Sequence, residues 1–243
     1  MYKFFVENNQ INGNLITITG EDYNHIANVL RMKKEEKILI SNKQTSETYT
    51  CYINQINKND IICTIIEKND KSTEMNIKVD VYQGLPKADK MEYIIQKSVE
   101  LGVNKIIPIN MKYCIAKIKD EEKKNIRWNK ISEVAAKQSK RNIIPKVEMS
   151  IDINKACEEL KKYDLVLVAY ENEENTTIKE ALQNDKEVKS IAVIIGPEGG
   201  ISNDEIEKLK EIGAKIVTLG KRILRTETAS IVLLSMITYE YEL

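Results

Sequence analysis

The chain has 243 residues, 37 basic and 37 acidic side chains, four cysteines and one histidine. This length allows one large domain or two modest ones with proper apolar cores, so disulfide support is unnecessary. The scattered cysteines form no CxxC pair, so we predict no metal site. The sequence shows no signal-peptide pattern and no apolar run of membrane-span length. We therefore predict a cytoplasmic protein with no membrane association.

Residues 1–72 read as a small β-rich domain. Short apolar runs at 15–18, 37–40, 48–53 and 61–66 are separated by Asn, Asp, Gly and Lys turns, which favours a small barrel. One helix is predicted at 21–30, because acidic residues at its start suit the helix dipole. The polar stretch 67–73 is typical of a linker, so we place the domain boundary there.

Residues 73–243 alternate strand and helix patterns, the signature of βα units. Helices are predicted at 88–101, closed by Gly102, and at 121–140. Strands at 165–169 and 191–195 are continuous apolar runs, as expected for parallel strands buried on both faces, and another is predicted at 216–219. The fold class is therefore α/β, with a smaller N-terminal β domain.

Two glycine-containing segments follow the last two predicted strands. Residues 194–202 read IIGPEGGIS, and residues 219–230 read LGKRILRTETAS. Each turns from a strand toward a helix, so both loops are expected at one edge of the sheet, where α/β proteins bind ligands. A purely structural turn is the alternative for the first loop.

The first loop is not a phosphate cradle. It has neither GxGxxG nor GxxxxGK[ST], and Glu198 would repel an anion. Ser202 and Glu205 form a predicted capping box that occupies the donors of the next helix. A neutral or cationic ligand suits this loop better.

The second loop places three cations beside two aliphatic side chains, and Arg225 is the sharpest candidate for a functional residue. The threonines at 226 and 228 could simply cap the apolar helix predicted at 229–241. Arg225 could equally pair with Glu227 or Glu198. A serine or cysteine triad is improbable because the only histidine, His25, lies in the small domain, where a structural or RNA-facing role is expected.

Charge is segregated along the chain despite the net zero. Residues 112–146 hold eleven basic against four acidic side chains, and residues 152–215 hold nine against fifteen. A basic surface of this kind is what nucleic-acid binding requires, although a solvated helix face gives the same pattern.

Taken together, the motifs resemble the RsmE family of 16S rRNA (uracil-1498-N3)-methyltransferases, which belongs to the SPOUT methyltransferases. Besides the two glycine segments, the family's pattern is matched by His25 with residues 29–31, by residues 87–103 and by residues 127–145. The resemblance implies a PUA-like RNA-binding β-barrel at 1–72. It also implies a SPOUT α/β domain at 73–243 with a deep trefoil knot, a rare exception to the usual topological rules.

The resemblance further implies S-adenosylmethionine (SAM) as the cofactor, bound in loops of the knot. SAM carries a positive sulfonium and no phosphate, so Glu198 is no obstacle. By similarity the cofactor-binding residues are Ala169, Tyr170, Glu171, Ile195, Gly196, Pro197, Glu198, Gly199, Gly200, Leu219, Gly220, Ile223, Leu224 and Arg225.

For RNA, the expected contacts are basic side chains that touch phosphates rather than read bases. The predicted set is Lys3, Arg31, Lys33, Lys34, Lys87, Arg127, Lys137, Lys140 and Arg141. Two positions depart from the family pattern: Lys3 replaces an arginine, and a glycine after the 29–31 motif is replaced within 33–36. Both positions lie in the N-terminal domain, so they bear on RNA docking and leave the SAM site untouched.

The implied reaction is methylation of uracil N3 in 16S rRNA of the small ribosomal subunit, by a homodimer. Our hypothesis is that Arg225 stabilises negative charge on the uracil while Glu227 holds its guanidinium, with no general base evident. The nearly all-apolar residues 230–237 suit burial by a partner subunit or by the knot. The alternatives are a SPOUT enzyme acting on tRNA and a non-catalytic RNA-binding assembly factor.

Overall fold

In the computed structural model, which describes residues 1–116, 118–183 and 187–243, the chain divides into two compact units. The first comprises Met1–Glu74 together with Ala136–Ile144, and the second comprises Met75–Ala135 and Pro145–Leu243. The break after Glu74 lies two residues from the boundary predicted at 72. Residues 136–144, which the prediction assigns to the second domain, group with the first unit.

The first unit is built on one six-stranded sheet. Its strands are β1 (Lys3–Val6), β2 (Ile11–Asn12), β3 (Leu15–Thr19), β4 (Lys37–Asn42), β5 (Thr48–Ile56) and β6 (Asp60–Asn69). They pair in the order β1-β4-β5-β6-β3-β2, with β1 parallel to β4 and the other pairs antiparallel. Alternating apolar residues turn inward to one buried cluster, as in the sequence of β4, where Ile38 and Ile40 are fully buried.

The helix predicted at 21–30 is present but is not a regular α-helix throughout. Its first part, α1 (Gly20–Asn24), is α-helical, and His25–Val29 forms a π-helical turn closed by the Leu30 N–H donating to the His25 carbonyl at 2.8 Å. His25 is exposed and its ring packs edge-on against Phe4.

Buried polar contacts fasten residues 136–144 within the first unit. The Lys3 ammonium, 4% exposed, donates to the Lys140 carbonyl at 3.0 Å. Arg141, 3% exposed, donates from Nε to the Glu74 carboxylate at 3.1 Å and forms an ion pair with it. Burial lowers the pKa of Lys3 to about 8, partly offset by the Glu74 charge. Lys3 and Arg141 therefore hold this unit together and do not face RNA, which corrects their predicted role.

The second unit contains a seven-stranded parallel sheet with helices between its strands. The strands are β7 (Lys78–Gly84), β8 (Lys105–Asn110), β9 (Lys146–Val147), β10 (Ile151–Asp152), β11 (Leu165–Ala169), β12 (Ser190–Ile195) and β13 (Lys215–Val217). The helices are α2 (Lys90–Glu100), α3 (Glu121–Ser139), α4 (Ile153–Leu160), α5 (Ile178–Gln183), α6 (Asn203–Glu211) and α7 (Thr226–Tyr241). The last turn of α3 falls in the residues grouped with the first unit.

The strand order in this sheet is β10-β8-β7-β12-β11-β13, with β9 beside β8. One face packs on α4 and α6 through a cluster that includes Tyr82 and Ala192. Val81 and Val193 are the sequence neighbours of Tyr82 and Ala192, so they face the opposite side of the sheet. They are also fully buried. Both faces are therefore covered, which explains the continuous apolar runs in the sequence.

The carboxyl ends of four strands meet at one edge. One row across the sheet contains, in order, Gln83 of β7, Ile195 of β12, Ala169 of β11 and Val217 of β13. The segments that follow these residues, including both glycine loops, therefore leave the sheet side by side, as predicted.

The helix ends show where local prediction succeeds and fails. Gly102 has φ +86 and ends α2, and Ser202 N–H donates to Glu205 Oε2 at 3.0 Å in the predicted capping box. α7 begins three residues earlier than predicted, at Thr226, and Arg225 occupies its N-cap without a capping side-chain bond. The predicted threonine cap is thus wrong.

In the described part of the chain, no helix combines the length and the apolar character needed to cross a bilayer.

Substitution of Arg141 tests whether this residue stabilises the first unit. Arg141→Ala removes the partner of a largely buried Glu74 carboxylate, so we expect the free energy of unfolding to fall by about 3 kcal/mol in urea titrations. Lys140→Ala is the matched control, because the Lys140 side chain is exposed and only its backbone carbonyl accepts bonds. It should stay within about 0.5 kcal/mol. Equal stability of the two variants would contradict the assignment.

Candidate active site

A cavity of about 470 Å³ opens at the strand edge of the second unit. Segments after β11, β12 and β13 form most of its wall, and the starts of α2 and α7 complete it. The lining residues are Lys90, Ala169, Tyr170, Glu171, Ile195, Gly196, Pro197, Glu198, Gly200, Thr218, Leu219, Gly220, Lys221, Arg222, Ile223, Leu224, Arg225, Thr226 and Ala229. Its size lies in the range of small-molecule sites.

Thirteen of the fourteen residues predicted to bind a cofactor line this cavity. The exception is Gly199, whose α-carbon faces away from the lining: a Cβ built there would lie 2.8 Å from Tyr113 Cβ. Gly199 is therefore required for close packing of the loop and not for lining the cavity.

The glycine loop after β12 depends on close backbone approach. A Cβ on Gly84, at the end of β7, would lie 2.6 Å from Pro197 N and Cδ. Gly200 has φ +76 and rests against the Glu171 carboxylate. A side chain at Gly84 would displace the loop, and one at Gly200 would be strained by the positive φ, so the loop is set by packing as well as by turn geometry.

A buried hydrogen-bond network joins three segments of the wall. The Thr226 hydroxyl, at the start of α7, donates to the Gly196 carbonyl at 2.7 Å and accepts from Gln83 Nε2 at 2.8 Å. Gln83 Oε1 in turn accepts from the Ser230 hydroxyl at 2.7 Å. Gln83 and Ser230 are 0% exposed, so no water can replace these bonds. The network fixes α7 and the glycine loop onto β7.

Lys90 and two carboxylates form a charged cluster at the cavity. Lys90 Nζ lies 2.9 Å from Glu198 Oε1 and 3.3 Å from Glu227 Oε2. The hydrogen bond to Glu198 raises the pKa of Lys90 above its usual value. Although partial burial opposes it, the bonds from Lys90 and the backbone hold the pKa of Glu198 below its usual value. One ammonium and two carboxylates give the cluster a formal charge of −1.

Arg225 is exposed. In the described ranges its guanidinium makes no ion pair or hydrogen bond, and Glu198 and Glu227 both contact Lys90 instead. The expected Arg225–Glu227 contact is therefore absent, and so is the alternative pairing with Glu198. Lys221, Arg222 and Ile223 of the same loop are also exposed.

The other basic residues of the predicted RNA set differ in availability. In the first unit Arg31, Lys33, Lys34 and Lys140 are exposed, whereas Lys137 forms an ion pair with Asp22 at 2.7 Å. In the second unit Lys87 is exposed, and Arg127, with 62% of its side chain exposed, pairs with Glu92 at 2.8 Å.

The structure adds site residues that sequence reasoning missed, chiefly Gln83, Lys90 and Thr226. Gln83 could have been identified from the sequence, because an amide that alternates with the apolar residues of β7 must find a buried partner. Lys90 could have been identified because a lysine at the start of a helix is disfavoured by the helix dipole. Among the described residues no group of His, Cys, Asp and Glu could hold a metal ion.

Replacing Gln83 tests the network. Gln83→Leu keeps the side-chain volume but leaves the buried Thr226 and Ser230 hydroxyls short of partners, so we expect a loss of about 2 kcal/mol in the free energy of unfolding. Gln96→Leu, at an exposed position of α2, is the control and should change it little. The network has no such role if Gln83→Leu unfolds at the wild-type urea concentration.

Comparison with known proteins matches both units. A family model described as an RNA methyltransferase domain matches residues 73–238, and one described as an RNA methyltransferase PUA domain matches residues 18–66. Ribosomal RNA small subunit methyltransferase E of Bacillus subtilis is 36% identical over 93% of this chain and 91% of its own length. The protein of the same name from Mesomycoplasma hyopneumoniae is 37% identical over 97% of this chain and 98% of its own length.

Solved structures of methyltransferases also match nearly the whole chain. A methyltransferase structure from Legionella pneumophila with bound SAM is 30% identical, with a TM-score of 0.86, over 98% of this chain and 97% of that one. Ribosomal RNA small subunit methyltransferase E from Neisseria gonorrhoeae, bound to S-adenosylmethionine, is 27% identical, with a TM-score of 0.88, over 99% of this chain and 98% of that one. The chain therefore belongs to the ribosomal RNA small subunit methyltransferase E family of RNA methyltransferases.

Proposed function

We propose that this chain is a SAM-dependent methyltransferase that transfers a methyl group to N3 of a uridine in 16S rRNA, the position that the family is named for. One observation carries the proposal: the loops predicted to bind SAM border a single cavity at the carboxyl edge of a parallel sheet. The full-length similarity to relatives named as small subunit rRNA methyltransferases supports the substrate.

The cavity suits SAM in its charges and its apolar surface. Glu171 and Glu198 on one side provide carboxylates for the cationic groups of the cofactor. Lys221 and Arg222 on the β13–α7 loop provide cations for its carboxylate, and Ile195 and Leu224 provide apolar contact for its adenine. The residues proposed to hold SAM are the predicted ones that line the cavity, with Gly199 acting through packing.

In this proposal SAM supplies an electrophilic methyl group, and the protein orients the acceptor. Loss of the N3 proton to solvent places negative charge on the uracil, and the Arg225 guanidinium, which has no partner among the described residues, would donate charge-assisted hydrogen bonds to it. The bond from the methyl group to N3 would form as its bond to sulfur breaks, leaving a neutral thioether. Glu227 acts through Lys90 instead of holding Arg225. Buried walls at Thr226 and Ala229 limit the access of water.

RNA contacts are proposed for the exposed basic side chains only. These are Arg31, Lys33, Lys34 and Lys140 in the first unit, with Lys87 and Arg127 in the second. Lysine and arginine on a surface bind phosphates regardless of the RNA sequence, so these residues would position the rRNA. The base to be methylated would be selected at the cavity.

We also propose the finer features that the family resemblance implies: a trefoil knot in the C-terminal part, a homodimer, and action in the cytoplasm on the small ribosomal subunit. Two facts support a knot. β13 pairs with β11 and not with β12, and the chain then returns so that Thr226 bonds the loop after β12.

Mapping of modified nucleosides tests the function directly. Cells that lack the protein should lose 3-methyluridine from 16S rRNA, and the wild-type gene should restore it. Restoration of a tRNA nucleoside, or no change in any RNA, would instead favour the tRNA enzyme or the non-catalytic factor.

The Arg225→Ala variant tests the role of Arg225 in methyl transfer. Because Arg225 is proposed to stabilise charge on the uracil, the purified variant should methylate rRNA about 100-fold more slowly. SAM affinity, measured by calorimetry, separates this loss from failure to bind the cofactor. Near-normal turnover by Arg225→Ala would rule out the role.

A further inference from the structure

Lys90 occupies a position that its own helix disfavours. It is the first residue of α2, where the unpaired backbone N–H groups present partial positive charge. A lysine ammonium is mildly disfavoured there, by up to about 1 kcal/mol, unless negative charge lies nearby. Asp89 at the N-cap and Glu92 in the first turn are acidic, but the two carboxylates that pair with Lys90 belong to other segments, Glu198 in the glycine loop and Glu227 in the first turn of α7.

The contacts of Lys90 are more than a surface ion pair. The side chains of Lys90, Glu198 and Glu227 are 31%, 25% and 17% exposed, and one ammonium serves two carboxylates. Isolated exposed pairs contribute little to stability, whereas shared and partly desolvated charges contribute more. Without Lys90, two carboxylates that now share one cation would repel each other.

Glu198 extends the cluster to the turn between β7 and α2. Its carboxylate also accepts the Lys87 backbone N–H, at 3.1 Å to Oε1. The next residue, Ala88, has φ +53, a backbone conformation that a residue with a side chain adopts only when its surroundings hold it there. The cluster therefore ties together three segments: this turn, the glycine loop and the start of α7.

We propose that Lys90 is a positioning residue of the methyltransferase: by holding Glu198 and Glu227 it fixes the glycine loop and α7 in the arrangement that binds the cofactor. The inference rests on the proposed function, because it concerns the same cavity. Lys90 and Glu198 both line that cavity, so a change in their pairing reaches the bound cofactor directly.

Lys90→Gln removes the shared cation at similar length. Calorimetry should show SAM binding weakened about tenfold, as expected for loss of one charge-assisted contact. Lys90→Arg keeps the charge and should bind within about threefold of wild type, since the guanidinium can contact both carboxylates.

Lys97→Gln is the matched control. Lys97 lies on the same helix, has the same 31% side-chain exposure and forms an ion pair of 2.9 Å with Glu100, but it does not line the cavity. Its substitution should leave SAM affinity and the melting temperature unchanged.

The double variant Lys90→Gln with Glu227→Gln distinguishes charge balance from simple damage. It removes one cation and one anion, so the net charge of the cluster returns to −1. We expect SAM affinity to recover relative to Lys90→Gln alone, a coupling that two independent packing losses would not produce.

Wild-type affinity in Lys90→Gln, or equal loss in Lys97→Gln, overturns the inference, as does a double variant that binds SAM no more tightly than Lys90→Gln. Those results leave the proposed function intact, provided that wild type binds SAM and methylates rRNA. Failure of the wild-type protein to bind SAM overturns both.

Discussion

The active-site architecture depends on one buried amide. Gln83 lies fully buried near the end of β7, and its amide bonds Thr226 and Ser230 of α7, while Thr226 in turn bonds the loop after β12. A buried amide without partners would be costly, so the three segments must come together in one arrangement. The same arrangement leaves a cavity between the glycine loop and the β13–α7 loop.

Around this fixed frame the charges are divided between two sides of the cavity. The acidic side chains Glu171 and Glu198 lie with the glycine loop, where Lys90 contacts Glu198, and the cations 221, 222 and 225 lie on the β13–α7 loop. A lining that carries both signs of charge suits a zwitterionic, cationic cofactor. In the part of the chain that the structure describes, Arg225 has no side-chain partner, and the nearby carboxylates of Glu198 and Glu227 contact Lys90.

Local patterns in the sequence were sufficient for β3 to β6 and β11 to β13, the Gly102 helix end and the Ser202–Glu205 capping box, since each depends on neighbours within a few residues. The two-residue strands β2, β9 and β10 were not predicted, because so short a run carries no pattern. The family resemblance located the loops of the cavity. The Gln83–Thr226 bond joins residues 143 positions apart, and no local pattern carries that partnership. Lys3 and Arg141 show the same limit: their charge predicted a surface role, but their partners, Lys140 and Glu74, are distant in sequence and hold them inside.

The most direct test of this account is hydrogen–deuterium exchange of the wild-type protein with and without SAM. If the cavity binds the cofactor, exchange should slow in three separate segments, at residues 84–90, 195–201 and 218–226, while the first unit changes little. Unchanged exchange in these segments at saturating SAM, or protection confined to other parts of the chain, would contradict the account.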